Sequence, residues 1–243
     1  MASLGPRADA AGGNGYRARM DPRARHRTGL LALSVAAGAL VSACSTSGAS
    51  DGAEQPSAAL AVVRVEVQAC GGGDVHRATG VAVGQNLVAT VAHTFDRGVS
   101  FGLADDQGRS WGAKVVWLDT ARDLALLRLS APAPSWLPLG DDDDGRAVEV
   151  YTLASDQGLE VKPATVLQHV AATLDGEGKR AALELQASIE SGDSGSPVVD
   201  TDGEVIGLVF ATSRTDDRGW AIAASEIVTA MASVGTEPIP LFC

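Results

Sequence analysis

A chain of 243 residues with 45% hydrophobic content is long enough for one or two packed units with a real core. Its formal net charge of −11 deepens once the N-terminus is set aside, because residues 1–43 hold six Arg and two acids and the remainder carries 13 basic and 28 acidic residues, near −15. With no basic stripe to neutralise phosphates, nucleic acid is excluded as a partner, and the acidity reads as a solvated surface.

Arg17, Arg19, Arg23, Arg25 and Arg27 precede an apolar run over residues 30–41 that exits through Ser42-Ala43 to Cys44. A basic head, a short apolar body and a small-residue exit describe a secretory signal over residues 1–43, and the body is too short for a comfortable membrane span. Val41-Ser42-Ala43-Cys44 resembles the bacterial lipobox. That resemblance implies diacylglycerol on Cys44 and a protein anchored by lipid on the outer face of the cell membrane, whereas ordinary cleavage nearby leaves Cys44 plain and the protein secreted. Met20 serves as a start as well as Met1 does, since the signal needs nothing from residues 1–19. Residues 44–58, rich in Ser, Gly and Ala, read as a flexible tether. With lipid on Cys44, Cys70 and Cys243 remain as an even pair in an oxidising compartment. A disulfide between them is expected to tie the first strand to the last residue, a loop closure worth roughly 5 kcal/mol as an upper figure in the chain-entropy model.

From residue 62 the pattern alternates. Val63, Val65, Val67 and Ala69 point one way and Arg64, Glu66 and Gln68 the other, which predicts a half-buried strand. Gly71-Gly72-Gly73 forces a loop. Apolar runs follow at residues 78–83, 87–91, 99–103, 111–118 and 124–129, so that six short strands predict a small barrel over residues 59–140. Aromatics are only 4% of the chain, and a core of Val, Leu and Ala suits sheet. Pro132, Pro134 and the run Asp141-Asp142-Asp143-Asp144-Gly145 break the rhythm, and the acids read as a solvated connector rather than a metal site. Runs at 147–153, 161–167, 183–187, 197–199, 205–209 and 220–223 predict a second barrel within residues 141–243, with Asp202-Gly203 as a hairpin turn. Ile227, Met231 and Val234 at helical spacing behind a Ser225 cap predict a terminal helix over 225–234.

Beyond the signal, the histidines are His76, His93 and His169. His93 ends the apolar run 87–92, a rigid place from which to aim a base, while His76 and His169 read as solvated or packed side chains. An imidazole base needs an acceptor on its other nitrogen. Asp123 opens the buried-looking run 124–129, and Asp119 is the nearest rival. In Glu190-Ser191-Gly192-Asp193-Ser194-Gly195-Ser196-Pro197 a serine is pinned between glycines on a tight turn, and a serine hydroxyl becomes a useful nucleophile only where a base takes its proton.

Thr79-Gly80-Val81, Thr90-Val91-Ala92-His93, Asp123-Leu124-Ala125-Leu126-Leu127 and Gly192-Asp193-Ser194-Gly195-Ser196-Pro197-Val198-Val199 together resemble the signature blocks of chymotrypsin-like serine proteases, closer to the bacterial trypsin-like peptidases of the HtrA type than to digestive enzymes. The resemblance covers residues 62–234. It implies an all-β fold of two six-stranded antiparallel barrels with a short C-terminal helix, and a serine endopeptidase working through an acyl-enzyme with no cofactor and no metal. Ser194 matches the nucleophile, His93 the base, Asp123 the orienting carboxylate, and the backbone N–H groups of Gly192 and Ser194 the oxyanion hole. By analogy Ser188 falls near the base of the primary substrate pocket and Val209, Phe210 and Ala211 along its wall, with no acid placed there and hence a preference for small or apolar side chains. Partners implied are a protein or peptide substrate and, through Cys44, the membrane; with no PDZ-like domain following, a monomer is expected.

Two departures stand out, the first of them minor. Val91 stands where relatives more often carry a small or amide residue. No activation junction frees an amine for Asp193, so either Asp193 finds another partner or the loop 188–193 orders only when substrate or an activator binds. An α/β-hydrolase is excluded, since it requires Gly-x-Ser-x-Gly and the order Ser, Asp, His. The competing readings are a silent scaffold serving as a surface binding or adaptor module, and self-cleavage near the tether.

Overall fold

The computed structural model describes residues 58–243, less 142–144, 155–156, 175–176, 191 and 214. The signal segment, Cys44 and the tether up to residue 57 lie outside the described residues, as does most of the acidic connector. A four-residue helix, α1 (Ala58–Ala61), leads into β1 (Val62–Ala69), where Val63, Val65 and Val67 are buried and the polar residues between them half-buried.

Strands β2 (Val75–Gly84), β3 (Leu87–Thr90), β4 (Gly98–Ala104), β5 (Ser110–Trp111), β6 (Ala113–Asp119) and β7 (Leu124–Leu129) complete an antiparallel sheet in the order β5-β4-β1-β2-β3-β7-β6. Seven strands stand where six are expected, and the difference lies at Gly112. There the run 111–118 divides into β5, paired with β4, and β6, paired with β7. The two edges of the sheet are therefore arms of one stretch of chain, and the sheet curls into a half-barrel joined by covalent backbone rather than by a hydrogen-bond ladder. Ser130 N–H donates to the Gly112 carbonyl at 2.8 Å and holds the division in place.

The second sheet closes. Strands β8 (Ala147–Thr152), β9 (Glu160–Leu174), β10 (Glu177–Gln186), β11 (Pro197–Val199), β12 (Val205–Thr212) and β13 (Arg218–Ala223) form a six-stranded barrel in the order β10-β13-β12-β11-β8-β9, filled by Val148, Val150, Val166, Leu185 and Ile206. The turn between β11 and β12 is built as the Asp202-Gly203 pair predicts: Gly203 has φ 81°, and Asp200 Oδ1 accepts the N–H groups of Asp202 and Glu204, each at 2.9 Å.

Helix α2 (Ala224–Ala232) follows β13 without a break, and this corrects the expected Ser225 cap. Ala223 is both the last strand residue and the residue that precedes the helix, so no loop is left in which Ser225 could cap; it lies in the first turn instead. Ile227 is fully buried, and the helix packs against β7 of the half-barrel and β10, β12 and β13 of the barrel. The tail then returns across the half-barrel. Arg128 donates to the Gly235 carbonyl at 3.0 Å, Ile239 N–H to the Val115 carbonyl at 2.7 Å, and Cys243 is disulfide-bonded to Cys70 across a sequence separation of 173, with the Cα atoms 5.5 Å apart.

Candidate active site

Three turns meet where the two sheets face each other. After β3 the buried Val91 and Ala92 lead into a single 3-10 turn, His93–Phe95, anchored by the Phe95 ring edge-on to Phe101 with centroids 5.3 Å apart. Asp123, just ahead of β7, adopts φ 57°, a left-handed conformation that a short polar side chain tolerates better than most. Its carbonyl accepts the Ala92 N–H at 3.1 Å and its Oδ1 the His93 N–H at 2.8 Å, so two backbone bonds fix the carboxylate before the imidazole is considered.

His93 Nδ1 lies 2.8 Å from Asp123 Oδ2 and 3.0 Å from Oδ1, and Nε2 lies 3.2 Å from Ser194 Oγ. The Asp123 side chain is 1% exposed and that of His93 42%, so the carboxylate is sheltered while the ring faces solvent. Asp119 is committed elsewhere. Burial pushes its carboxyl up, but the Arg122 backbone and guanidinium hydrogen bonds, at 2.9 and 2.6 Å, hold it below its ordinary value.

The serine turn is docked onto the half-barrel through Thr79 of β2. Thr79 N–H donates to the Ser194 carbonyl at 2.8 Å, Thr79 Oγ1 accepts Leu153 N–H at 2.9 Å, and Thr90 Oγ1 donates to the Thr79 carbonyl at 2.7 Å. So close an approach demands glycine at 195. Its φ is 81°, and a Cβ there would sit 2.7 Å from Thr90 Oγ1 and closer still to the Thr79 carbonyl. Gly192 has φ 110°. Within the turn Asp193, Gly195 and Ser196 donate their N–H groups to Glu190, Val209 and Asp193 carbonyls, whereas those of Gly192 and Ser194 donate to nothing among the described residues.

The Asp193 carboxylate turns inward, where Oδ2 accepts Lys162 Nζ at 2.9 Å and Glu190 N–H at 2.8 Å. Lys162 lies on β9 on the same face as Ala164 and Val166, which line the barrel interior, and its side chain is 10% exposed. Burial pulls its ammonium down, but the bond to Asp193, with the charges of Asp193, Glu160 and Glu190, lifts it above its ordinary value. The structure thus contains an internal partner for Asp193. Sequence reasoning missed Lys162, although one signal was present: a lysine on the inward register of an alternating strand requires a counter-charge.

The expected pocket residues occupy different surroundings. Ser188 lines an open cavity of about 290 Å³ with Ile189, Ser213, Asp216 and Asp217. Val209 is instead interior, 1% exposed, and the Phe210 ring lies under the Arg180 guanidinium, 4.8 Å from centroid to Cζ. The register shift between Val209 and Ala211 is an irregularity in β12 that sets the direction of the Phe210 side chain between them. Asp216 at this cavity is engaged by the Ser213 hydroxyl and lies 3.6 Å from Arg218 Nε.

Residues 78–208, more than half of the chain, match the trypsin-like peptidase domain. The serine protease Rv3671c of Mycobacterium tuberculosis is 26% identical over 173 residues, covering 66% of this chain and 43% of that protein. The Do-like serine protease HtrA of Bacillus subtilis is 26% identical over 157 residues, covering 59% of this chain and 35% of that protein. The chain thus spans less than half the length of these relatives. Among solved structures, the active form of the Rv3671c protease has a TM-score of 0.69 at 24% identity, covering 76% of this chain and 85% of the other. The HtrA-type protease AlgW with a tripeptide gives 0.65 at 22%, covering 72% and 60%.

Proposed function

The chain belongs to the trypsin-like peptidase family, and from that premise we propose that it is an exported serine endopeptidase in which Ser194, His93 and Asp123 hydrolyse peptide bonds through an acyl-enzyme. The observation that carries this reading is His93, held between the buried Asp123 carboxylate and the Ser194 hydroxyl. Asp123 fixes the tautomer with the proton on Nδ1, so Nε2 is free to take the proton of Ser194 Oγ as that oxygen attacks the scissile carbonyl. The resulting oxyanion lies where the N–H groups of Gly192 and Ser194 can donate to it. His93 then gives the proton to the leaving amine, and a water, activated by the same nitrogen, hydrolyses the ester on Ser194.

Lys162 bears on regulation. A carboxylate already paired inside the barrel supports a turn that is ordered before substrate arrives, so the site is constitutive and needs no newly freed amine. Lipid on Cys44, a location on the outer membrane face and a monomeric state complete the proposal; intact mass of membrane-purified protein reports the lipid and any self-cleavage together.

The decisive experiment is reaction with a fluorophosphonate. Wild type is expected to label at Ser194, and Ser194→Ala to lose labelling and about 10⁶-fold in turnover. A folded wild type that never labels would instead identify a binding or adaptor module on the same scaffold.

A further inference from the structure

Arg180 is a fully buried cation that the mechanism above does not use. It lies on β10 beside Ala182, and Ala182 packs into the core cluster that includes β7, so this face of the barrel is turned to the half-barrel. Nη1 donates to the Arg122 carbonyl at 2.9 Å and sits 4.0 Å from Asp123 Oδ2, while the guanidinium rests on the Phe210 ring. Nε and Nη2 are buried with no hydrogen-bond partner among the described residues. Burial holds the guanidinium below its ordinary value, and the charges of Asp123, Asp119 and Glu226 offset that only in part. A buried arginine with two of its three nitrogens unsatisfied recovers little of its desolvation cost in hydrogen bonds, so a contribution to stability alone does not account for it.

What Arg180 holds is more specific. The carbonyl it binds belongs to the peptide that enters Asp123, the residue in the left-handed conformation, and the carbonyl leaving Asp123 is bound by Ala92. Both flanking peptides of Asp123 are therefore pinned, one from each sheet. The attachment is braced alongside. Glu226 of α2 accepts the N–H of Ala181, next to Arg180, at 2.8 Å and Arg122 Nε at 3.0 Å, so helix, β10 and the Asp123 turn form one tied group.

We propose that Arg180 is a positioning residue for Asp123, reaching from the barrel to hold both the backbone and the charge of the carboxylate that orients His93. It touches no substrate, being 0% exposed. The inference rests on the peptidase reading for its kinetic consequence, but not for its structural one.

The test compares the wild type with Arg180→Met and Arg180→Lys by three readouts: fluorophosphonate labelling rate, thermal midpoint, and the low-field proton resonance of His93 Nδ1–H, which reports the bond to Asp123 without requiring turnover. Arg180→Met is expected to label about 10- to 100-fold more slowly and to broaden or lose the resonance; Arg180→Lys recovers part of the rate. Wild-type labelling and an unchanged resonance in Arg180→Met would overturn the proposal, and so would a lowered midpoint with the resonance intact. If Arg180→Met does not fold, Arg180→Lys decides: a native midpoint with a slowed rate and a shifted resonance supports positioning, and a wild-type rate and resonance refute it. Should the folded wild type fail to label at all, the peptidase reading falls, and the resonance alone still judges Arg180.

Discussion

Lys162 and Asp193 meet across 31 residues of sequence, and that contact holds the Asp193 carboxylate inside the barrel. Lys162→Met leaves Asp193, Glu160 and Glu190 clustered without their cation, and kcat is expected to fall about 10²- to 10³-fold with little change in KM, since the turn's donors act on charge that develops in the transition state. Because the folded Lys162 titrates above its ordinary value of 10.5, its contribution is fully present below that pH and is lost only as pH rises through the higher folded value. On the alkaline side neither the rate nor the thermal midpoint should fall before about pH 10, and a loss of either centred on pH 8 would show that another group orders the turn. His93, Asp123 and Ser194 were legible in the sequence because each sits in a contiguous block of distinctive neighbours. Lys162 and Arg180 were not. Alternation along a strand gives the face a side chain occupies, and only the assembled register gives the carboxylate that it meets.

At the scale of elements, the strand rhythm was readable almost throughout, and its errors have local causes. Gly112 splits one apolar run into the two arms that face β4 and β7, which no periodicity reveals because the hydrophobic pattern runs straight through it. The terminal helix was placed correctly from Ile227 and its spacing, but its start was misread because Ala223 ends β13 and opens α2 at once. That helix is wedged between the sheets, so its buried side chain serves both. Ile227→Ala is expected to cost about 2–4 kcal/mol. The urea midpoint should fall with the slope unchanged, and a separate early transition for one sheet would show that the two do not unfold together.

For the molecule as a whole, the bond between Cys70 and Cys243 has a mechanical consequence. Everything between those residues is a closed ring of covalent bonds, so a force applied between residue 58 and the C-terminus passes through β1 and the two sulfurs and bypasses both sheets beyond them. Under such a pull only residues 58–70 can be drawn out, to about 40 Å end to end and little beyond what β1 already spans as a strand, whereas the reduced chain can extend to roughly 600 Å. Single-molecule extension with and without reductant measures the difference directly; a long extension in the oxidised protein would contradict it. A protein held at its N-terminal end can thus be tugged until its first strand peels from β2 and β4 while the covalent backbone of the ring that carries His93, Asp123 and Ser194 is not drawn out.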